Sequence, residues 1–204
     1  MIIIVMFIHK QFYIPIGVKF FDLDVKKIES YTLDLMKKQQ GVLKSNQGGW
    51  QSEELQGEIP ELNDLFIAVE ESINEFHSEM KMKANLKQKI SNCWLNVNGK
   101  GNGNKPHRHF GSVFSGVFYI KCNRENGNIV FVNPNELLDY HWDEKIIEER
   151  FEPTSGLYEQ WPEENKLLIF PSHVNHWVEP NQSDELRISF AFNTEVYDPE
   201  KING

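Results

Sequence analysis

The chain is poor in cysteine, has no long apolar run and no excess of basic charge, and each shortage narrows what it does. Two cysteines in 204 residues, Cys93 and Cys122, cannot build a disulfide framework. Both fall in apolar runs that read as buried strands, so a reducing, cytoplasmic compartment is expected. No stretch reaches the roughly 20 apolar residues that a membrane-spanning helix needs. The apolar start, residues 1–8, lacks a basic leader and a small-residue cleavage site, and reads as a strand or a loosely tied extension. With 21 Lys and Arg against 30 Asp and Glu the formal charge is −9, which argues against a broad electrostatic grip on nucleic acid. The local basic cluster Lys81, Lys83, Lys87 and Lys89 reads as a solvated connector before a strand.

What is present suits one domain over residues 1–204 with one core. An N-terminal extension with supporting helices (1–90) precedes a β core (91–194) that carries an insert at 133–165, and a tail (195–204) closes the chain. Val25, Ile28, Leu35 and Met36 recur at helical spacing after Asp24, a plausible cap, which predicts a helix over residues 24–40. The segment SNQGGWQS, residues 45–52, reads as an ordered loop. Pro60 suits a first turn, and Leu62, Leu65, Phe66, Val69, Ile73, Phe76 and Met80 trace the stripe of a second helix. Both helices are expected on the outside of a sheet. Beyond Ile90 the chain breaks into short runs of Val, Ile, Phe and Tyr between Gly, Asn and Pro, which predicts strands at 92–98, 113–122, 128–132, 166–170, 176–179 and 186–193. The insert contains Tyr140, Trp142, Phe151, Tyr158 and Trp161, and reads either as a lid or as a surface excursion anchored by its aromatics.

Five of the seven histidines fall between His107 and His176. His107 and His109 form a His-x-His pair in KPHRHF, and on an extended backbone residues two apart face the same side, so both imidazoles can reach one ion. His176 follows an apolar strand ending at Pro171, a place from which an imidazole reaches a barrel rim. His173 and His141 read as a loop residue and an insert residue. Eleven residues past His176 stands Arg187, then Ser189, on one strand face, with Ile188, Phe190 and Phe192 on the other. A guanidinium on an inner face needs a carboxylate, supplied either by a dicarboxylate ligand or by an internal Asp or Glu. Asn96 and Tyr119 lie on flanking strands and either bond a ligand or are satisfied by backbone. Trp94 and Trp177 read as core or rim aromatics, and Ser115 and Gly116 as positions of close strand packing.

The order His-x-His, distal His, Arg-x-Ser resembles the iron(II)/2-oxoglutarate oxygenases, whose usual pattern is His-x-acid in the first place. The runs SNQGGWQS, WLNVNGKGNGNKPHRHFGSVFSGVFYI, IVFVNP, LLIFPSHVNHWVEP and RISFAFN look like the group within that superfamily that carries His-x-His, and the likeness spans residues 45–193. It implies a mainly β (α+β) fold, a double-stranded β-helix or cupin-like jelly roll with N-terminal supporting helices. It further implies Fe(II) on His107, His109 and His176, and 2-oxoglutarate as cosubstrate on Arg187 and Ser189, with Asn96 and Tyr119 as further candidates. Oxygen then serves to hydroxylate a small-molecule or peptide substrate while 2-oxoglutarate becomes succinate and carbon dioxide. His109 stands where most relatives have a carboxylate, so the metal would rest on neutral ligands alone, or on His107 and His176 with water, and the greater positive charge would favour an anionic ligand such as halide or a bidentate oxoacid. Two other readings compete. A cupin would carry Glu four or five residues past the pair, where Val113 and Phe114 stand. A zinc-stabilised interaction domain would pair Arg187 internally. Nucleic acid and membrane are not expected as partners, and a homodimer is left open.

Overall fold

In the computed structural model, residues 13–135, 138, 145–150 and 154–201 are described. Their elements in chain order are β1 (Gly17–Phe20), α1 (Val25–Lys38), β2 (Asn46–Gln47), β3 (Trp50–Gln51), a 3-10 turn at Pro60–Leu62, α2 (Asn63–Glu79), β4 (Lys87–Asn98), β5 (Gly103–His107), β6 (Phe114–Lys121), β7 (Ile129–Val132), β8 (Leu157–Gln160), β9 (Lys166–Pro171), β10 (His176–Val178) and β11 (Arg187–Tyr197), with a final 3-10 turn at Pro199–Lys201. Six strands form one sheet in the order β1-β9-β6-β11-β4-β3, and five form a second in the order β2-β5-β10-β7-β8. The pairings are antiparallel. Two antiparallel sheets with two N-terminal helices make the double-stranded β-helix that the sequence implies.

The period of two along each strand separates an apolar face from a polar one. On β4 and β11, Cys93, Leu95, Val97, Ile188, Phe190 and Phe192 point to the helices and join Leu62, Leu65, Val69, Ile73 and Phe76 in the main core. Phe66 meets Phe190 edge-on at 5.5 Å, and Phe76 meets Phe114 at 5.0 Å. A second cluster of Tyr119, Ile129, Phe131, Leu168, Phe170 and Val174 bridges the two sheets. Burying that many large apolar side chains, at roughly 1.5–3 kcal/mol each, fixes the register of the long strands.

Several expectations shift at their edges. Asp24 occupies the N-cap position of α1 but its side chain makes no capping bond. Pro60 opens a 3-10 turn, and the α-helix proper begins at Asn63. The loop at 45–52 contains β2 and β3, which belong to different sheets; Gly48 and Gly49, with φ of 65° and 70°, let the chain cross between them. Within the insert, Leu157–Gln160 is an edge strand, β8, on β7. Trp161 is an anchor: Lys166 donates to its carbonyl at 3.0 Å and lies 5.0 Å from its ring. Tyr140, His141, Trp142 and Phe151 lie outside the described residues, as does the apolar start at 1–8. Cys93 and Cys122 are unpaired; Lys81, Lys83, Lys87 and Lys89 are exposed, but Lys87 and Lys89 lie on β4 itself and not on a connector before it. Among the described residues no helix is long and apolar enough to cross a membrane.

Gly116 sits where β6 passes under the ring of Phe192, and a Cβ there would run into that ring and lie 2.6 Å from the Leu168 carbonyl oxygen. Gly116→Ala is therefore expected to lower stability by about 1–3 kcal/mol, seen as a lower urea midpoint at constant slope; an unchanged midpoint would contradict the close packing.

Candidate active site

The space between the sheets is closed by the bridging apolar cluster at one side and lined by polar side chains at the other. His107 ends β5, and its Cα partner across the ladder is His176, which opens β10. His109 lies just past the strand, its N–H bonded to the Ser172 carbonyl at 3.0 Å. The three rings converge, with centroids 4.9 Å apart for His107 and His109, 4.3 Å for His107 and His176, and 5.3 Å for His109 and His176. One ligand nitrogen from each lies within 4.8 Å of the others. Binding one ion through all three would draw these nitrogens closer together.

Tautomers follow from the partners, because a carbonyl only accepts. Nδ1 of His107 donates to the Lys105 carbonyl at 2.7 Å, and Nδ1 of His176 donates to the Val174 carbonyl at 2.9 Å. Each Nε2 is thereby left with a lone pair, the form that binds metal. Burial lowers all three pKa values below the ordinary 6.5: His109 to about 4 and His176 to about 3, each pushed further by the nearby His107. Neutral imidazoles at neutral pH are the consequence.

Arg187, only 2% exposed, lies on β11 opposite Asn98. One terminal nitrogen, Nη1, donates to the carbonyls of Asn126, Gly127 (3.2 Å) and Glu179 (3.4 Å). The other, Nη2, is buried without a partner, and among the described residues no carboxylate pairs with the guanidinium. An unpaired buried charged donor is strongly disfavoured, so its persistence points to an anion that completes it.

Across the sheet, Asn96 of β4, Ser189 of β11 and Tyr119 of β6 share one register row. Their side chains make no hydrogen bond among the described residues. Burial holds the Tyr119 phenol well above its ordinary pKa, so it stays a donor. These three, Arg187 and the three histidines line one narrow pocket of about 60 Å³. Metal ligands at one end and an uncompleted guanidinium with idle polar groups behind it suit a bound metal with a short dicarboxylate.

The structure thus brings together all seven residues singled out in the sequence: His107, His109, His176, Arg187, Ser189, Asn96 and Tyr119. His173 is exposed and stays out, while Trp94 stands 6.0 Å from the His109 ring, at the rim. Ser115 bonds Ser172 and Asn193 at 2.8 Å and 2.7 Å. Ser45, Asn98 and Asn104 also line the pocket, and Ser45 Oγ, which accepts from Asn104 Nδ2, is 3.4 Å from His107 Nε2. Sequence reading misses Ser45 because only the distant pairing of β2 with β5 carries it there.

A family model described as "Putative 2OG-Fe(II) oxygenase" matches residues 92–193. Among solved structures, a prolyl-4-hydroxylase from Pseudomonas putida is similar at TM-score 0.60 and 11% identity, covering 89% of this chain and 92% of that one. A prolyl hydroxylase from Trichoplax adhaerens, solved with a hypoxia-inducible-factor peptide fragment, gives 0.59 at 13% identity, with 91% and 84% covered. A viral collagen prolyl hydroxylase from Paramecium bursaria Chlorella virus-1, in complex with 2-oxoglutarate, gives 0.54 at 11% identity, with 88% and 94% covered. At these identities the likeness is one of fold. A search among curated proteins finds no match.

In the unfolded chain these histidines bind protons near pH 6.5, whereas His109 and His176 in the folded protein resist them down to about 4 and about 3. Their contribution to stability is present above pH 6.5 and is lost as pH falls towards those folded values. The metal-free protein should lose melting temperature across that window, and His176→Gln should flatten the loss. An equal slope in the variant would contradict the burial argument.

Proposed function

Because the chain belongs to the 2OG-Fe(II) oxygenase family, we propose that iron(II) is held by His107, His109 and His176, that 2-oxoglutarate lies against Arg187, and that the enzyme hydroxylates its substrate. The observation that carries this assignment is the buried, unpartnered Nη2 of Arg187, a residue that lines the same pocket as the three imidazoles. A cupin or a zinc-stabilised interaction domain has no use for such a group.

Iron(II) with 2-oxoglutarate and oxygen supplies the oxidising power: the keto acid loses carbon dioxide to give succinate, and one oxygen atom enters a substrate C–H bond. The residues of this chain bind, orient and shield. Arg187 is fixed through Nη1 by three carbonyls, so its free Nη2 is already aimed when a carboxylate arrives. Ser189, in the next inward position on β11, donates its hydroxyl to the same carboxylate. Asn96 and the protonated phenol of Tyr119 offer N–H and O–H groups to the keto acid along its length. Phe131 and Phe170, packed 4.9 Å apart with Phe170 at 4.8 Å from His176, keep water from the inner side of the metal ligands.

Three neutral imidazoles leave the charge of a divalent ion uncompensated, which favours an anionic bidentate oxoacid or a halide in the open positions. Unpaired Cys93 and Cys122 support a reducing, cytoplasmic setting.

Anaerobic calorimetry of the iron-loaded protein with 2-oxoglutarate tests the assignment. Arg187→Ala should weaken 2-oxoglutarate binding by roughly 30- to 4000-fold, the range for losing one partner of a buried charge pair, while metal affinity stays; equal affinity for 2-oxoglutarate would sink it. His109→Asp should tighten the metal and loosen 2-oxoglutarate, and no change in either would remove the charge argument.

A further inference from the structure

Outside the cosubstrate pocket, a groove of about 810 Å³ leads from His107 and His109 to the surface. Its walls come from the loop at 42–45 and the extended segment at 51–56, and its floor includes Asn92 and Trp94 of β4. Gln51 is only 7% exposed and lines this groove, yet its side-chain amide makes no hydrogen bond among the described residues. Lining the groove with no protein partner, this amide is free to bond a ligand there. Two neighbours add donors. Asn92 accepts through Oδ1 from Asn193 at 2.8 Å, which leaves its own N–H groups free, and the indole N–H of Trp94 has no partner among the described residues.

The groups on offer are therefore one donor–acceptor pair and two donors. Their complement is a carbonyl oxygen with an adjacent N–H. Glu53 and Glu54 stand in the same wall against the single cation Lys44, so once the 2-oxoglutarate dianion has offset the charge of iron(II), a carboxylate in this place is repelled where a neutral amide is not. We propose that the groove binds the substrate by an amide, docked on Gln51 with its carbonyl oxygen towards Asn92 and Trp94. The inference rests on the oxygenase assignment only in that the adjoining centre oxidises what the groove holds.

The amide belongs either to a free carboxamide or to a peptide bond. Leu43 and Phe110, 82% and 85% exposed, are chain neighbours of the groove residues Val42, Lys44 and His109, and offer apolar surface to a peptide long enough to leave the groove.

Protein loaded anaerobically with iron(II) and 2-oxoglutarate is titrated, by calorimetry and tryptophan fluorescence, with N-acetylglycinamide, with the N-acetylglycine anion and with doubly capped tetra-alanine. The amide should bind at least about tenfold more tightly than the anion, and Gln51→Leu and the shape-preserving Gln51→Glu should each weaken it by about tenfold at unchanged melting temperature. Absence of amide binding, equal binding of the anion, or unaffected variants would overturn the proposal. Capped tetra-alanine binding about tenfold above the small amide, with the gain lost in Phe110→Ala, identifies a peptide source; equal binding identifies a free carboxamide. Failure of 2-oxoglutarate itself to bind counts against the oxygenase assignment, whereas amide failure with 2-oxoglutarate bound counts against this inference alone.

Discussion

A guanidinium is held inside this protein with half of its terminal hydrogen-bonding capacity unused, and the arrangement around it makes sense only as preparation for an anion. Three backbone carbonyls fix one nitrogen of Arg187. They orient the side chain without neutralising it, since carbonyl dipoles leave the net charge in place. An internal acid would have made the same arginine a structural ion pair. Its absence among the described residues leaves a positive field at the inner end of a pocket whose outer end carries three neutral imidazoles. Anion and metal then stabilise each other's sites, because a dicarboxylate spanning the pocket satisfies both ends at once.

The fold supplies this by dividing the duties of its long strands. One face of β4, β6 and β11 is given to the helices and carries the bulk of the apolar burial. That leaves the opposite face free for Asn92, Asn96, Ser189 and Arg187, which contribute nothing to the core and would destabilise it if register slipped by one residue. Hydrophobic packing on one side thus holds the polar geometry on the other, and the site's precision derives from a core it does not touch.

Much of this is legible in the sequence because the determining signals are local. Alternation along 186–193 separates Arg187 and Ser189 from Ile188, Phe190 and Phe192, and the His-x-His spacing puts two imidazoles on one side of an extended chain. Non-local pairings are not legible in the same way. That Asn46–Gln47 and Trp50–Gln51 are strands, in different sheets, depends on partners about fifty residues away. For that reason Gln51 and Ser45 read as loop residues although Gln51 lines the outer groove and Ser45 both the groove and the inner pocket. Edge strand β8 was hidden likewise, since LYEQ carries no alternation and owes its conformation to β7. The family resemblance covered the site but could not decide whether Arg187 meets an internal acid; only the packed structure addresses that.

The central claim is that the idle nitrogen of Arg187 and the three imidazoles serve one ligand set. An anaerobic crystal structure with iron(II) and 2-oxoglutarate tests it most directly. The account predicts one ion on His107, His109 and His176, with the far carboxylate of the keto acid within hydrogen-bond distance of Arg187 Nη2. An ion bound away from these rings, or an Arg187 completed by an acid of the protein while the keto acid lies elsewhere, would contradict it.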